Sequence, residues 1–280
     1  MECIAEGLAF PEGPVVMADG SVIVVEMMAA RITRCWNGRR ETICEIGGGP
    51  NGAAIGPDGA LWVCNNGGIW TSQTPGDGRI ERVDLSNGRV ERVYDRCDGK
   101  PLWAPNDLVF DATGRVWFTA HGNPFAELRP AGGLFTATAD GSEITAVNRQ
   151  SIAYNGVGLS PDQTHVFVAD TLQARIYRYD NRAEAQEPHY VTTAMGPVGF
   201  DSLAITAAGN VCVATLHEGG ISTVTPDGKC TKYAIAEEPY VTNIAFGGSD
   251  MRDAYITLSS TGRLVRMRWD EPGLSLAFNG

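Results

Sequence analysis

The chain has 280 residues, 43% of them hydrophobic and 20% charged, which supplies a packed core and argues against disorder. A formal net charge of −11 with no basic patch argues against nucleic acid as a partner, and an acidic balance instead raises the local cation concentration. No apolar stretch is long enough to cross a membrane, so no membrane partner is expected.

In chain order, one pattern recurs. A polar residue opens an apolar run, a turn follows, and a second apolar run returns. The first copy starts at Glu12, turns at Asp19-Gly20 and returns through Val22–Val25. The second starts at Asn51, turns at Pro57-Asp58-Gly59 and returns through Leu61–Cys64. The third starts at Asn106 and returns through Val116–Thr119; the fourth starts at Asn155, with Ser160-Pro161-Asp162 in its turn. The fifth starts at Asp201 and returns through Val211–Ala214, and the sixth starts at Asn243 and leads to Ala254–Leu258. The steps between the opening residues are 39, 55, 49, 46 and 42, a period that marks a propeller.

Each copy continues into a second hairpin, such as Arg31–Trp36 before Arg40–Cys44, or Gly78–Val83 before Arg89–Tyr94. Asp-Gly and Asn-Gly pairs sit between the runs, as tight hairpins require. The first runs are small and apolar and should be buried; the later ones alternate with Arg and Glu and should face solvent. The expected fold is therefore all-β, a single domain over 1–280 forming a six-bladed β-propeller of four-stranded antiparallel blades. The last copy reads as carrying its own fourth strand, ending at Leu274–Phe278, while Glu2–Ala5 could add an outermost strand.

Innermost strands line the axis of a propeller. Glu12, Asn51, Asn106, Asn155, Asp201 and Asn243 should therefore ring one end of the channel. All six offer oxygen, and a buried ring with two carboxylates needs a cation to offset its charge. Hard oxygen donors point to one divalent ion, Ca²⁺ first, with Mg²⁺, Mn²⁺ or Zn²⁺ as alternatives. The competing reading is that these residues only cap turns. Second strands return to the same face, so Met27, Asn65-Asn66, His121, Asp170 and His217 should surround the ring, with Trp103, Tyr154, Phe200 and Tyr240 just ahead of the inner strands. Two long connections, Asn66 to Asp77 and His121 to Gly132, carry Trp70 and Phe125 and read as lids. Seven cysteines without a C-x-x-C pair, behind the acidic start Met1-Glu2-Cys3, are expected to be reduced thiols of a cytoplasmic protein.

From Phe10 to Trp269 the chain resembles the family of SMP-30, gluconolactonase and luciferin-regenerating enzyme. The resemblance rests on Pro11-Glu12-Gly13-Pro14, Pro105-Asn106-Asp107, Asn155-Gly156 with Leu159-Ser160-Pro161-Asp162, and Asp201 ahead of Gly209–Ala214. Diisopropyl fluorophosphatase looks like a more distant relative. The resemblance implies that Glu12, Asn155 and Asp201 hold the metal and that Asn106 completes the set or contacts the substrate. Asn51, Trp103, His121, Tyr154, Phe200 and Asn243 are then expected to contact substrate. Members mostly hydrolyse lactones, often of sugars. Two departures stand out: Ala104 where similar sugar lactonases carry Arg, and Ser202 where Gly is usual.

The expected activity is metal-dependent opening of a small-molecule lactone, with the cation stabilising the oxyanion and Asp201 as general base. His121 and His217 are reserve acids or bases. A Gly-x-Ser-x-Gly elbow and a P-loop are both missing from the sequence. Two other readings stay open: phosphotriester hydrolysis at the same site, and a calcium-binding propeller without catalysis.

Overall fold

The structure is a computed structural model that describes residues 1–71, 78–122, 132–149, 153–235 and 237–278. Six four-stranded antiparallel sheets are arranged as the six blades of a propeller. Blade one comprises Pro11–Val16, Val22–Glu26, Arg31–Trp36 and Arg39–Glu45, from the axis outwards. Blade two comprises Pro50–Ile55, Leu61–Asn65, Arg79–Asp84 and Arg89–Tyr94. Blade three follows with Pro105–Phe110, Arg115–Ala120, Gly133–Thr138 and Ile144–Asn148. Blade four is Tyr154–Leu159, His165–Asp170, Arg175–Asp180 and His189–Thr193; blade five is Gly199–Ile205, Val211–Leu216, Gly220–Val224 and Cys230–Ala234.

The strands are where the alternation put them. Inner and second strands are almost wholly buried, whereas outer strands such as Arg39–Glu45 and Cys230–Ala234 stand in solvent. The hairpin joining first to second strand is closed by a repeated device. In blade one, Asp19 accepts from the Ser21 N–H (2.9 Å) and hydroxyl (2.6 Å); Asp111 does the same for Thr113 in blade three. Gly20 and Gly114 take the left-handed conformation these turns demand (φ 81° and 85°). Apolar side chains of neighbouring blades interleave, as in the cluster of Trp62, Phe110, Phe118 and Phe135 between blades two and three.

Blade six comprises Val241–Gly247, Asp253–Leu258 and Arg263–Arg268, and its fourth strand is Glu2–Ala5 from the start of the chain. Cys3 pairs with Val265, and Glu2 binds Arg266 at 2.6 Å. The fourth strand expected at Leu274–Phe278 does not form, because the N-terminal segment already occupies that edge. Pro272 and Gly273 turn the tail beneath the molecule instead. There the Leu274 N–H donates to Ile205 (2.8 Å), the Ala207 N–H donates to Pro272 (2.9 Å), and Phe278 meets Phe110 edge-on at 6.0 Å. All seven cysteines are unpaired thiols. No helix occurs among the described residues, so none is long and apolar enough to cross a membrane.

Candidate metal centre and channel mouth

The pairing of inner with second strand slips once in every blade, always near the strand's start. The slips fall between Glu12 and Val15, Pro50 and Ala53, Pro105 and Leu108, Tyr154 and Val157, Phe200 and Leu203, and Val241 and Asn243. A bulge bends a strand and re-aims its side chains. Here each bulge lies at the polar residue that opens the repeat. Glu12, Asn51, Asn106, Asn155, Asp201 and Asn243 are all buried.

Tight approach of neighbouring inner strands forms the ring. A Cβ on Gly52 would lie 2.4 Å from Asp107 Oδ1 and 2.7 Å from the Asn106 carbonyl; one on Gly156 would lie 2.8 Å from the Asp201 carbonyl. Thr119 donates its hydroxyl to the Asn155 carbonyl. Asn243 donates its amide to Glu12 Oε2 (3.2 Å), while its own Oδ1 accepts from the Ile244 N–H (2.8 Å). Asn155 donates to Thr171 (3.1 Å) and to Asp201, which leaves its carbonyl oxygen toward Ser202 (3.4 Å). Asn51 and Asn66 both aim amide groups at the Met27 sulfur, at 4.0 and 3.4 Å.

Burial governs the electrostatics of the ring and raises its carboxylates. Burial pushes Glu12 up to about 8, with Asp107 beside it adding to the rise. Burial pushes Asp107 to about 7. Asp201 is driven well above the ordinary carboxylate range by burial and by the charge of Glu12. None of the three forms an ion pair with a described Lys, Arg or His. The Asn106 Oδ1 is buried without a hydrogen-bond partner. An orphan acceptor beside desolvated carboxylates is the environment a hard divalent cation would satisfy. Among the described residues, no three carboxylate, thiol or imidazole groups converge as a ligand cluster on their own. A cation held here would need amide oxygens as well as carboxylates.

Of the residues expected to contact substrate, the structure separates two groups. Trp103 is half-buried at the mouth, and His121 lies beside it. The His121 N–H donates to Ala104 and its carbonyl accepts from Ala153, which pins it between the starts of the inner strands of blades three and four. Its ring packs edge-on to Trp70 (5.0 Å), its Nδ1 has no partner, and burial lowers its pKa to about 4. Tyr154 and Phe200, by contrast, are enclosed in the packing between blades, and the Tyr154 hydroxyl pairs with Tyr179 at 2.8 Å. The reason is strand parity. Each directly precedes a residue that faces the channel, so its own side chain faces the opposite way. Asn51 and Asn243 sit in the ring itself.

Asp107 is the ring carboxylate that the expected site omits. Simple alternation turns it away from the channel once Asn106 faces in, and only the bulge brings it back. Stretches 72–77 and 123–131 of the two long connections, Phe125 among them, lie outside the described residues. Below the ring a cavity of about 80 Å³ follows the axis, with Asp107 and Asn243 at one end and Ile205, Phe246, Leu274 and Leu276 at the other.

The family model described as SMP-30/Gluconolactonase/LRE-like region matches residues 10–260. The chain is similar to a gluconolactonase of Zymomonas mobilis subsp. mobilis, 26% identical over 304 aligned positions that take in 96% of this chain and 81% of the relative. A solved gluconolactonase from Xanthomonas campestris superposes with a TM-score of 0.79 at 18% identity, over 95% of this chain and 88% of that one. Regucalcin from Agrobacterium tumefaciens, described as a calcium-binding protein, superposes with a TM-score of 0.75 at 17% identity, over 99% and 100%. At those identities the two structures speak to the fold.

Proposed function

The chain belongs to the SMP-30/gluconolactonase/LRE-like family, and from that membership and its channel mouth we propose that it hydrolyses lactones with the help of one divalent cation. The observation that carries the reading is the set of three buried carboxylates without a described cationic partner, beside the orphan Oδ1 of Asn106. Relatives named gluconolactonase, lactonase and pentonolactonase support the reaction class. Glu12, Asn106, Asn155 and Asp201 would hold the ion, with Ca²⁺ first because the donors are hard oxygens. When bound, the ion would polarise the lactone carbonyl and offset the negative charge of the adding oxygen.

The remaining work falls to side chains. Asp201 takes the proton of the attacking water; a carboxylate that burial and the charge of Glu12 make more basic than usual suits that role. Asn243 holds Glu12 in place through its amide, and Thr171 accepts from the Asn155 amide nitrogen and fixes that side chain. His121 is neutral near pH 7 and presents an unpartnered nitrogen to the substrate. A second reading gives the proton to Asp107, favoured by its burial at the ring and its pKa of about 7.

The test is acid release from γ- and δ-lactones by chelated protein with Ca²⁺, Mg²⁺, Mn²⁺ or Zn²⁺ added back, beside Asp201→Asn and Asp107→Asn. Metal-restored turnover is expected, with Asp201→Asn lowering kcat about 10²- to 10⁴-fold while melting cooperatively. A larger loss in Asp107→Asn moves the base to that residue. Turnover that chelation does not touch would overturn the metal-dependent reading.

A further inference from the structure

The residues at the mouth of the channel are known by their place in the topology, and several of the described ones are large and apolar. The mouth comprises the turn after each second strand and the three residues ahead of each inner strand. Among the described residues of those segments there is no Lys or Arg. Of the four arginines that open third strands near the mouth, Arg31 and Arg79 are committed to Glu26 (2.7 Å) and Glu81 (2.6 Å), Arg175 donates to the Tyr177 hydroxyl (3.3 Å) and Arg263 to the Thr261 hydroxyl (3.0 Å). Aromatic groups stand on two sides instead. On one side Trp70 meets His121 at 5.0 Å, with Trp103 beside them. On the other, Tyr240 lies 6.3 Å from Phe10 and 6.1 Å from His217. Tyr240 is 40% exposed, Met28 49% and Leu172 65%, all on this face.

Large apolar side chains left in water around a polar centre mark a binding surface. A polyhydroxylated ring entering such a mouth would lose water from hydroxyl groups that find few partners. Resting on the proposed lactonase activity, we infer that the preferred substrate is a lactone bearing an apolar substituent. Its ring carbonyl reaches the carboxylate–amide centre, and its alkyl or aryl group lies along Tyr240, Phe10 and Met28.

The experiment measures kcat/KM of the metal-loaded protein for γ-butyrolactones carrying hydrogen, propyl, pentyl or heptyl at the ring carbon, against glucono-δ-lactone. The expected result is a rise of about two- to fourfold per methylene, the upper figure corresponding to about 0.8 kcal/mol for each. Tyr240→Ser and Met28→Ser should flatten that slope. Calorimetry with 5-heptylpyrrolidin-2-one, a lactam that resists hydrolysis, reads binding apart from turnover, and it should bind more tightly than unsubstituted pyrrolidinone. Turnover independent of chain length, or glucono-δ-lactone preferred over the heptyl lactone, would overturn the inference and leave lactone hydrolysis standing. Tight lactam binding without turnover of any lactone would sink the activity and keep the apolar mouth.

Discussion

Chelation and pH act on the same three side chains, and the structure sets the direction. Without a cation, folded Glu12 titrates at about 8 and Asp107 at about 7, against ordinary values of 4.5 and 3.8. Between the ordinary and the raised value, the unfolded chain has released a proton that the folded chain still holds. Stability of the metal-free protein must then fall as pH rises. At about 1.4 kcal/mol for each pH step of one, the interval from pH 5 to pH 8 costs about 4 kcal/mol through Glu12 alone. Asp107 adds to the loss up to about pH 7. At roughly 2 °C per kcal/mol for a domain of this size, the melting temperature should drop by about 8 °C or more. Saturating Ca²⁺ should hold the carboxylates charged and abolish most of that slope, and metal affinity should weaken on acidification as protons compete. The assay is a set of thermal melts from pH 5 to 8, in chelator and in excess Ca²⁺. A flat profile in chelator would mean that these carboxylates are not desolvated together, and the case for a cation centre would lose its basis.

Other outcomes follow from the same geometry. Asn243→Leu removes the amide that holds Glu12, and the half-saturating metal concentration should rise about tenfold or more, read by titration calorimetry. Gly156→Ala places a Cβ 2.6 Å from the Leu203 nitrogen and should cost about 1–3 kcal/mol in denaturant unfolding. Gly59→Ala has open space around it and strains only the backbone (φ 75°), so a loss of about 1–2 kcal/mol is expected without change in metal binding. Truncation after Glu271 uncovers Ile205 and Phe246 at the lower end of the channel; it should lower stability by about 2–5 kcal/mol and raise binding of a hydrophobic dye.

The blades were legible because a two-residue alternation repeated six times leaves few other ways to bury the apolar faces. The ring was legible for the same reason, since one polar residue opened each copy. What sequence did not reveal were departures from regular pairing. Asp107 follows Asn106, and plain alternation sends it outward; only a slip between Pro105 and Leu108 returns it. Parity could have excluded Tyr154 and Phe200 from the mouth, since each stands one residue before a channel-facing side chain. The tail at Leu274–Phe278 read as a strand because its composition suits one, and the competing claim of Glu2–Ala5 on the same edge comes from the far end of the sequence, beyond any local pattern.

That edge has a consequence for how the chain is made. Glu2–Ala5 leaves the ribosome well before its partner Arg263–Arg268 is translated. At roughly 5–20 residues per second, the opening segment waits on the order of 15 to 50 s before it can be zipped into place. Blades one to five can condense in order as they emerge, but the circle has no seal until Arg263–Arg268 has emerged. Through that interval Glu2–Ala5 carries backbone hydrogen-bonding groups without their strand partner and blade one lacks a neighbour on one side, and a nascent chain in that state is a target for chaperones and for pairing with its neighbours on the same message.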